Sequence, residues 1–369
     1  MKTKVLFVLG SMEIGGVQSG IMNFAKYTPQ DQIRFDVLVQ SKTEGFHEKE
    51  FKEYGNVYHI PVLKTNSALL NIALALPNDL IWKIKFNSFL KKHGGYGAVH
   101  SKLLYGVAET MKTAKKRGVP VRVAQSHVDK PQKLNPFYSW YYRRNAKRIE
   151  KSATVKLAVS PGASELLFDK FGSRIIKNPT ISLKRLDPKK YDPEPHDEIR
   201  LIQIGTFSRR KNQVFSVDIL KSLIDSGTKA SLTFIGFPLD EPDYPDLIKK
   251  RVDECGLNKF VKFLPKDSDI PKELSESDYM LIPSLREGLP NVALEAQAMG
   301  VPCFISDTVN PDTDCGLCSS LSLFDGAGKW AQAILSYRNE NGSKKTYIDM
   351  SEWDNVSVCR EYVKIWRNS

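Results

Sequence analysis

No run of apolar residues in this sequence is long enough to cross a bilayer. A spanning helix needs about 20 such residues, and the longest mostly apolar stretch, 68–76, falls well short of that. No secretory leader is visible. Lys2 and Lys4 precede an apolar run at 5–9 that stops at Gly10, too short for the core of a signal peptide. The expectation is a cytoplasmic protein without a transmembrane segment. Cysteine is scarce, with five residues at 255, 303, 315, 318 and 359. They form no even framework, which excludes a disulfide scaffold and suggests a reducing compartment. Cys315 and Cys318 make one CxxC, but the second pair or two nearby His residues that a zinc site needs are missing. They read as reduced structural thiols. There is no RRM, KH or helix-turn-helix pattern, so nucleic acid is not the expected partner.

What is present is a globular composition of 369 residues, 41% hydrophobic and 26% charged. That length exceeds one ordinary core and suggests two domains. The net charge of +12 is unevenly distributed. Residues 1–178 carry 29 Lys/Arg against 13 Asp/Glu, whereas 179–369 carry 25 against 29. The N-terminal half is therefore expected to face something anionic, such as a lipid surface or a phosphorylated substrate.

Residues 4–9 (KVLFVL) read as a strand buried on both faces. A Gly-rich turn, 10–20, and a helix follow. Such a turn lets backbone amides near Gly16 approach a phosphate at a helix N-terminus, although it is neither GxGxxG nor a Walker motif and also fits a plain βα turn. Strands at 35–39, 57–60, 98–100, 121–125 and 156–159 alternate with helices, the rhythm of a parallel sheet. In such sheets ligands bind at strand C-terminal ends, where Gly15, Gly16, His100 and His127 fall. Segments 68–93 and 136–151 mix aromatics with Lys and Arg. Trp82, Phe86 and Phe89 lie at helical spacing beside Lys83, Lys85, Lys91 and Lys92, which fits either a helix packed on the sheet or one touching a membrane surface.

Pro-rich residues 179–198 read as a linker. A second βα series follows, with strands at 199–204, 232–235, 261–264, 279–282, 303–305 and 322–324 and a last helix at 356–366. Its first strand runs into GTFSRRKNQ, 205–213, which sets Arg209, Arg210 and Lys211 at a helix start, an arrangement suited to a diphosphate. The expected organisation is an N-terminal Rossmann-like domain (1–178), a linker (179–198), a C-terminal Rossmann-like domain (199–352) and a closing helix (353–369) that packs back on the first domain.

The segment 283–307 (PSLREGLPNVALEAQAMGVPCFISD) holds two carboxylates, Glu287 and Glu295, with seven residues between them. Glu287 precedes a helix and Glu295 sits just over one turn inside it. A loop carboxylate can accept hydrogen bonds from sugar hydroxyls, and one inside the helix can hold both ribose hydroxyls. The amides of Gly288, Leu289 and Asn291 at the helix start suit phosphate.

EGLPNVALE resembles the E-x7-E signature of the group 1 family of retaining glycosyltransferases. Further stretches, among them VLGSMEIGGVQ, AVHSK, VRVAQSHVDK, IKNPT and IGTFSRRKNQ, are similar to bacterial exopolysaccharide and capsule glycosyltransferases, in the same order along almost the whole chain. The resemblance implies the α/β fold called GT-B, two Rossmann-like domains whose parallel sheets face an interdomain cleft. It implies transfer of a hexose from a nucleotide-sugar donor, UDP-linked by preference, to a lipid-linked or oligosaccharide acceptor, with retention and without a metal. It also implies roles: Glu295 on the donor ribose, Glu287 on the donor hexose, Lys211 on the diphosphate, the Gly16 amide near the phosphates, and His127 near the transferred sugar and the acceptor. One departure stands out. The position after Gly205 is often Arg in the family and here is Thr206, so Arg209 or Arg210 would have to replace that cation among the donor-binding residues. Two D-x-D triplets, Asp267–Asp269 and Asp312–Asp314, could instead suggest a metal-dependent class, but the two-sheet pattern argues against it. An epimerase of the same architecture, an anionic-ligand-binding protein and a donor-binding pseudoenzyme are the rival readings.

Overall fold

The computed structural model describes residues 2–13, 15–63, 65, 68–128, 136–191, 193–194, 196–238, 241–342 and 345–367, with 68–73 described only as helical backbone. Two compact units emerge, Met1–Thr180 together with Glu352–Ser369, and Ile181–Ser351.

In the first unit β1 (Thr3–Leu9), α1 (Gly16–Tyr27), β2 (Ile33–Val39), α2 (Glu48–Phe51), β3 (Gly55–His59), α3 (Ala68–Lys92), β4 (Ala98–Ser101), α4 (Val107–Lys116), β5 (Val121–Ser126), α5 (Pro136–Glu150), β6 (Val155–Ala158), α6 (Pro161–Phe168) and β7 (Arg174–Ile175) alternate. The strands form one seven-stranded sheet in the order β3-β2-β1-β4-β5-β6-β7, with parallel pairing throughout. The continuous apolar run of β1 sits near the middle of that sheet. Successive side chains of a strand point to opposite faces. Val5, Phe7 and Leu9 accordingly pack into one core with Phe24 of α1, and Leu6 and Val8 into the other with α3 and α4.

In the second unit β8 (Ile199–Ile204), α7 (Gln213–Asp225), β9 (Ala230–Ile235), α8 (Tyr244–Glu254), β10 (Val261–Leu264), α9 (Ile270–Ser275), β11 (Tyr279–Ile282), α10 (Asn291–Ala298), β12 (Cys303–Ser306), β13 (Cys318–Leu321) and α11 (Gly326–Asn341) build a parallel sheet in the order β10-β9-β8-β11-β12-β13. Its core gathers Leu201, Leu220, Phe234, Leu281 and Trp330. The chain then returns to the first unit as α12 (Asn355–Arg367). Tyr362 and Trp366 of α12 enter the core of β1, with the Trp366 ring 5.1 Å from Phe24 and 5.3 Å from Phe35.

The structure decides between open readings in some segments and corrects the expectation in others. Trp82 and Phe86 are fully buried and Phe89 nearly so. They stack on one another at 5.4 and 6.4 Å and pack on β1, so they are not a membrane-facing stripe. Among the described residues of α3, the exposed apolar ones are Leu76, Leu80 and Ile84, on another face. The expected strand at 322–324 is a 3-10 turn, Leu323–Asp325. The strand lies earlier, at Cys318–Leu321, in register with β12 from Cys303↔Cys318 onward. Its CSSL sequence lacks the apolar run that marks a central strand, as befits a sheet edge. The two-residue edge strand β7 has no such run either. Within the Pro-rich stretch 179–198, Ile181 and Leu186 are buried and Pro188–Lys190 forms a 3-10 turn, all inside the second unit.

Candidate active site

The second unit brings the cationic turn and the carboxylate segment together at the C-terminal ends of β8 and β11, which are adjacent in the sheet. After β8 the chain passes Gly205 and enters a 3-10 turn, Arg209–Lys211, and Asn212 then takes a left-handed conformation that starts α7. Gln203 pins this turn: its Nε2 donates to Lys211 O at 2.8 Å, while its Oε1 accepts from Ser216 Oγ at 2.7 Å. Gln213 Nε2 donates to Thr206 O at 3.0 Å. The cationic turn is bound in turn to the segment after β11. Leu285 N donates to Arg210 O at 2.8 Å, and Asn212 Nδ2 to Pro283 O at 3.1 Å.

That frame sets three charged groups against one another. Lys211 Nζ and Arg210 Nη1 each lie 2.6 Å from Oε1 of Glu287. Glu287 and Lys211 are mostly covered, at 11% and 13% side-chain exposure, while Arg210 is half exposed at 52%. Arg209 does not join them. It pairs with Glu241 and Asp243 at 3.3 Å and its guanidinium sits 5.7 Å from the Tyr244 ring. Of the two arginines open to the role left by Thr206, the structure puts Arg210 beside Lys211.

α10 begins at Asn291 after Pro290, with no side-chain cap and no acidic residue in its first turn. Gly288 is exposed, and a side-chain atom added there would meet nothing within 4 Å. An uncapped helix start preceded by Gly288 and Leu289 favours an anion. The side chain of Glu295, one turn in, has no hydrogen bond or ion pair among the described residues. Burial raises its pKa above the usual carboxylate range, and Arg185 partly opposes that shift. A carboxylate held this way calls for donors from outside the protein.

Gly16 and His127 belong to the first unit. Gly16 opens α1, also without a side-chain cap, and a side-chain atom added there would meet nothing within 4 Å. His127 Nδ1 accepts from Asn178 Nδ2 at 3.3 Å, which leaves the ring proton on Nε2, an atom without a partner among the described residues. Burial, with Lys102 and His100 nearby, holds its pKa well below the ordinary value, so the ring is neutral. Asp129 and Lys130 of the same motif, and Ile14 of the Gly-rich turn, lie outside the described residues.

Sequence reasoning passed over Lys102, named only within AVHSK. It is buried at the end of β4, donates to Asn178 Oδ1 at 3.1 Å and lies 5.2 Å from the Phe24 ring. Burial depresses its pKa strongly. A lysine placed immediately after a buried strand was the available signal. His100 is occupied structurally: Trp366 Nε1 donates to its Nδ1 at 3.2 Å, and its Nε2 donates to Gln125 Oε1 at 2.8 Å. The D-x-D triplets serve turns. Asp269 caps α9 and Asp314 accepts from the Gly316 and Cys318 amides. Among the described residues no cluster of His, Cys, Asp and Glu gathers at metal-binding distance.

Two parallel-sheet α/β units, each with a helix start open for an anion, define the GT-B class. Solved structures agree on the fold. A glycosyltransferase from Rickettsia africae superimposes with a TM-score of 0.74 at 17% identity, over 100% of this chain and 98% of that one. Anabaena HepE in complex with UDP gives 0.67 at 15%, over 99% and 95%. Residues 185–313 match the family described as glycosyl transferases group 1. EpsF of Bacillus subtilis (strain 168), a glycosyltransferase by its name, is 25% identical over 94% of this chain and 90% of its own. The capsular polysaccharide biosynthesis glycosyltransferase CapH of Staphylococcus aureus is 25% identical over 79% and 78%. The Escherichia coli UDP-Gal:alpha-D-GlcNAc-diphosphoundecaprenol alpha-1,3-galactosyltransferase is 24% identical over 88% and 83%. These matches support a group 1 glycosyltransferase.

Proposed function

We propose that the protein transfers a hexose or hexose derivative from a UDP-sugar to a lipid-linked or oligosaccharide acceptor, with retention, in the assembly of a bacterial surface polysaccharide. One observation carries the donor side: Lys211 and Arg210 converge on Glu287 beside the uncapped start of α10, with Glu295 unpartnered one turn further on. The diphosphate displaces Glu287 from the two cations, and the amides of Gly288, Leu289 and Asn291 take its oxygens. Glu295 accepts the ribose hydroxyls. Glu287, freed from the cations, accepts from hydroxyls of the donor hexose. As the glycosidic bond breaks, negative charge grows on the β-phosphate, where fixed cations and helix amides stabilise it without reorganising. The group 1 resemblance supports retention, with the leaving phosphate oxygen taking the acceptor proton. It also assigns donor-side roles to the Gly16 amide and to His127, whose Nε2–H would be the donating atom.

The uridine nucleotide is supported by the UDP named with HepE, and the lipid-linked acceptor and polysaccharide role by the names of the Escherichia coli and Staphylococcus aureus relatives. Contact with an anionic membrane surface is proposed for the α3 face of Leu76, Leu80 and Ile84 with Lys83, and for the exposed Trp140, Arg143 and Arg144 of α5. Co-sedimentation with anionic but not zwitterionic vesicles is its check. A thermal-shift screen of nucleoside diphosphates tests the donor reading. UDP at 100 times its Kd should stabilise by about 2.7 kcal/mol, and no shift with any nucleoside diphosphate would defeat it.

A further inference from the structure

Three cysteines meet at one edge of the second unit's sheet. Cys318 opens β13 and stands in register with Cys303 of β12. Cys315 comes just before it, after the 3-10 turn Pro311–Thr313. The Sγ atoms of Cys315 and Cys318 both donate to one acceptor, the Thr313 carbonyl oxygen, at 3.8 and 3.9 Å. Two sulfurs gathered on one atom are neighbours, and both are thiols here. Cys303 is the inert member. It is fully buried, its Sγ donates to Val301 O at 3.6 Å and Ala293 O at 3.8 Å, and burial pushes its thiol pKa well up. Cys315 and Cys318 are only half-buried, within reach of a small reagent. Between them Gly316 holds a φ of +115°, and a side-chain atom added there would meet nothing within 4 Å. The loop can therefore turn at Gly316 to bring the sulfurs together.

One side chain of α10 fastens this loop. Gln297 is fully buried. Its Nε2 donates to Thr313 O at 2.8 Å and to Ala293 O at 3.1 Å, and its Oε1 accepts from Cys315 N at 2.8 Å and Leu317 N at 3.4 Å. On the loop's other side, Asp314 Oδ1 accepts from the Gly316 and Cys318 amides at 2.7 and 3.0 Å. That carboxylate disfavours a thiolate nearby, so oxidation at this loop is slow and follows the surrounding redox balance. An S–S bond is only about 2 Å long. Forming it draws the sulfurs off Thr313 O and shifts Cys315, whose amide Gln297 holds. A buried amide that loses such partners is destabilised.

We propose that Cys315 and Cys318 are a redox-active dithiol, oxidised by a low-molecular-weight disulfide, and that its closure loosens α10 through Gln297. One cysteine thiolate attacks a sulfur of the reagent, breaks its S–S bond and releases one thiol. The other cysteine attacks the mixed disulfide, forms the Cys315–Cys318 bond and releases the second thiol. The two protons leave with the two released thiols. The dithiol and its effect on α10 stand on the loop itself. Only an effect on UDP rests on the donor reading proposed above.

The test equilibrates the full chain, in its native state, with glutathione disulfide. Intact mass should fall by two hydrogens, about 2 Da, as one internal disulfide forms. Cys303→Ser should keep that loss, and Cys315→Ser and Cys318→Ser should each abolish it. Hydrogen exchange should speed up at the amides of 291–298 in the oxidised parent, return to its starting rate with dithiothreitol, and stay unchanged in Cys318→Ser given the same treatment. UDP should bind the oxidised parent about fivefold more weakly, the scale of one hydrogen bond. The dithiol is overturned if only a glutathione adduct forms, or if the loss of two hydrogens persists in Cys315→Ser or vanishes in Cys303→Ser. The coupling is overturned if the disulfide forms and exchange in α10 does not change. Mass and exchange are read without nucleotide, so they decide this proposal even if no nucleoside diphosphate binds, and their failure leaves the UDP screen standing.

Discussion

Arg210 and Lys211, neighbours in sequence, converge on a single atom, Oε1 of Glu287, each at 2.6 Å. On the proposed donor reading, the carboxylate would compete with a diphosphate for the same cations. Glu287→Gln should therefore leave UDP affinity unchanged or raise it while lowering turnover, whereas Lys211→Ala should lower both. Removing one such stabilising cation costs roughly 10²–10³-fold in turnover. Isothermal titration with UDP, alongside steady-state rates, separates the two variants. If Glu287→Gln weakens UDP as much as Lys211→Ala does, the competition does not exist.

Glu295 gives a prediction with opposite signs in stability and binding. Its pKa is raised by burial, so the folded state prefers the protonated form. Its stability contribution is intact below the ordinary carboxylate pKa and is lost as pH rises through the raised value. Glu295→Gln should raise the melting temperature of the ligand-free protein at pH 7.5 and leave it unchanged near pH 4. The same change should weaken UDP by about 10- to 100-fold and erase any preference for UDP over 2′-deoxy-UDP. A variant that melts lower at pH 7.5 and still prefers UDP would refute the ribose role.

Trp366 is 1% exposed among Phe7, Phe24 and Phe35 and donates to His100. Trp366→Ala should cost the first unit about 3–5 kcal/mol. Two units need not unfold as one transition, so the urea titration should be followed with probes in each. The first unit's midpoint should drop and the second unit's should hold. Equal movement of both would contradict the assignment of α12 to the first unit.

Gly236 follows β9 directly, where a side-chain atom would lie 1.9 Å from Gly205 O. The clash is with backbone that leads into the Arg209–Lys211 turn, and Gly205 itself holds a φ of +149°. Gly236→Ala should cost at least about 1–3 kcal/mol and should weaken UDP binding as well, because the displaced strand end carries Lys211. Retained UDP affinity in a folded Gly236→Ala chain would show that the two strand ends move independently.

Much of the architecture was legible in the chain. Buried parallel strands announce themselves by β-branched runs, and β8, β10 and β11 fall at the residues expected. Edge strands do not: RI at 174–175 and CSSL at 318–321 carry no such run. The E-x7-E spacing located both carboxylates, but not the pairing of Glu287 with Lys211 and Arg210. That pairing depends on β8 and β11 being adjacent, and strand order is not written in spacing. For α3, helical spacing identified an aromatic stripe but could not say which way it turned. Aromatics with lysines alongside fit a buried face with a charged rim as well as a bilayer-facing one.

α12 has a consequence for synthesis. The first unit is assembled from both ends of the chain, Met1–Thr180 and Glu352–Ser369, while the second is one continuous segment, Ile181–Ser351. During translation the second unit can close as soon as its own residues are made, but the first must wait, with the Phe7, Phe24 and Phe35 surface open, until Trp366 arrives. Nascent chains halted after Ser351 should resist limited proteolysis in the later-made unit and be cut in the earlier one. The order of folding would then reverse the order of synthesis, and the second unit would be complete before the first.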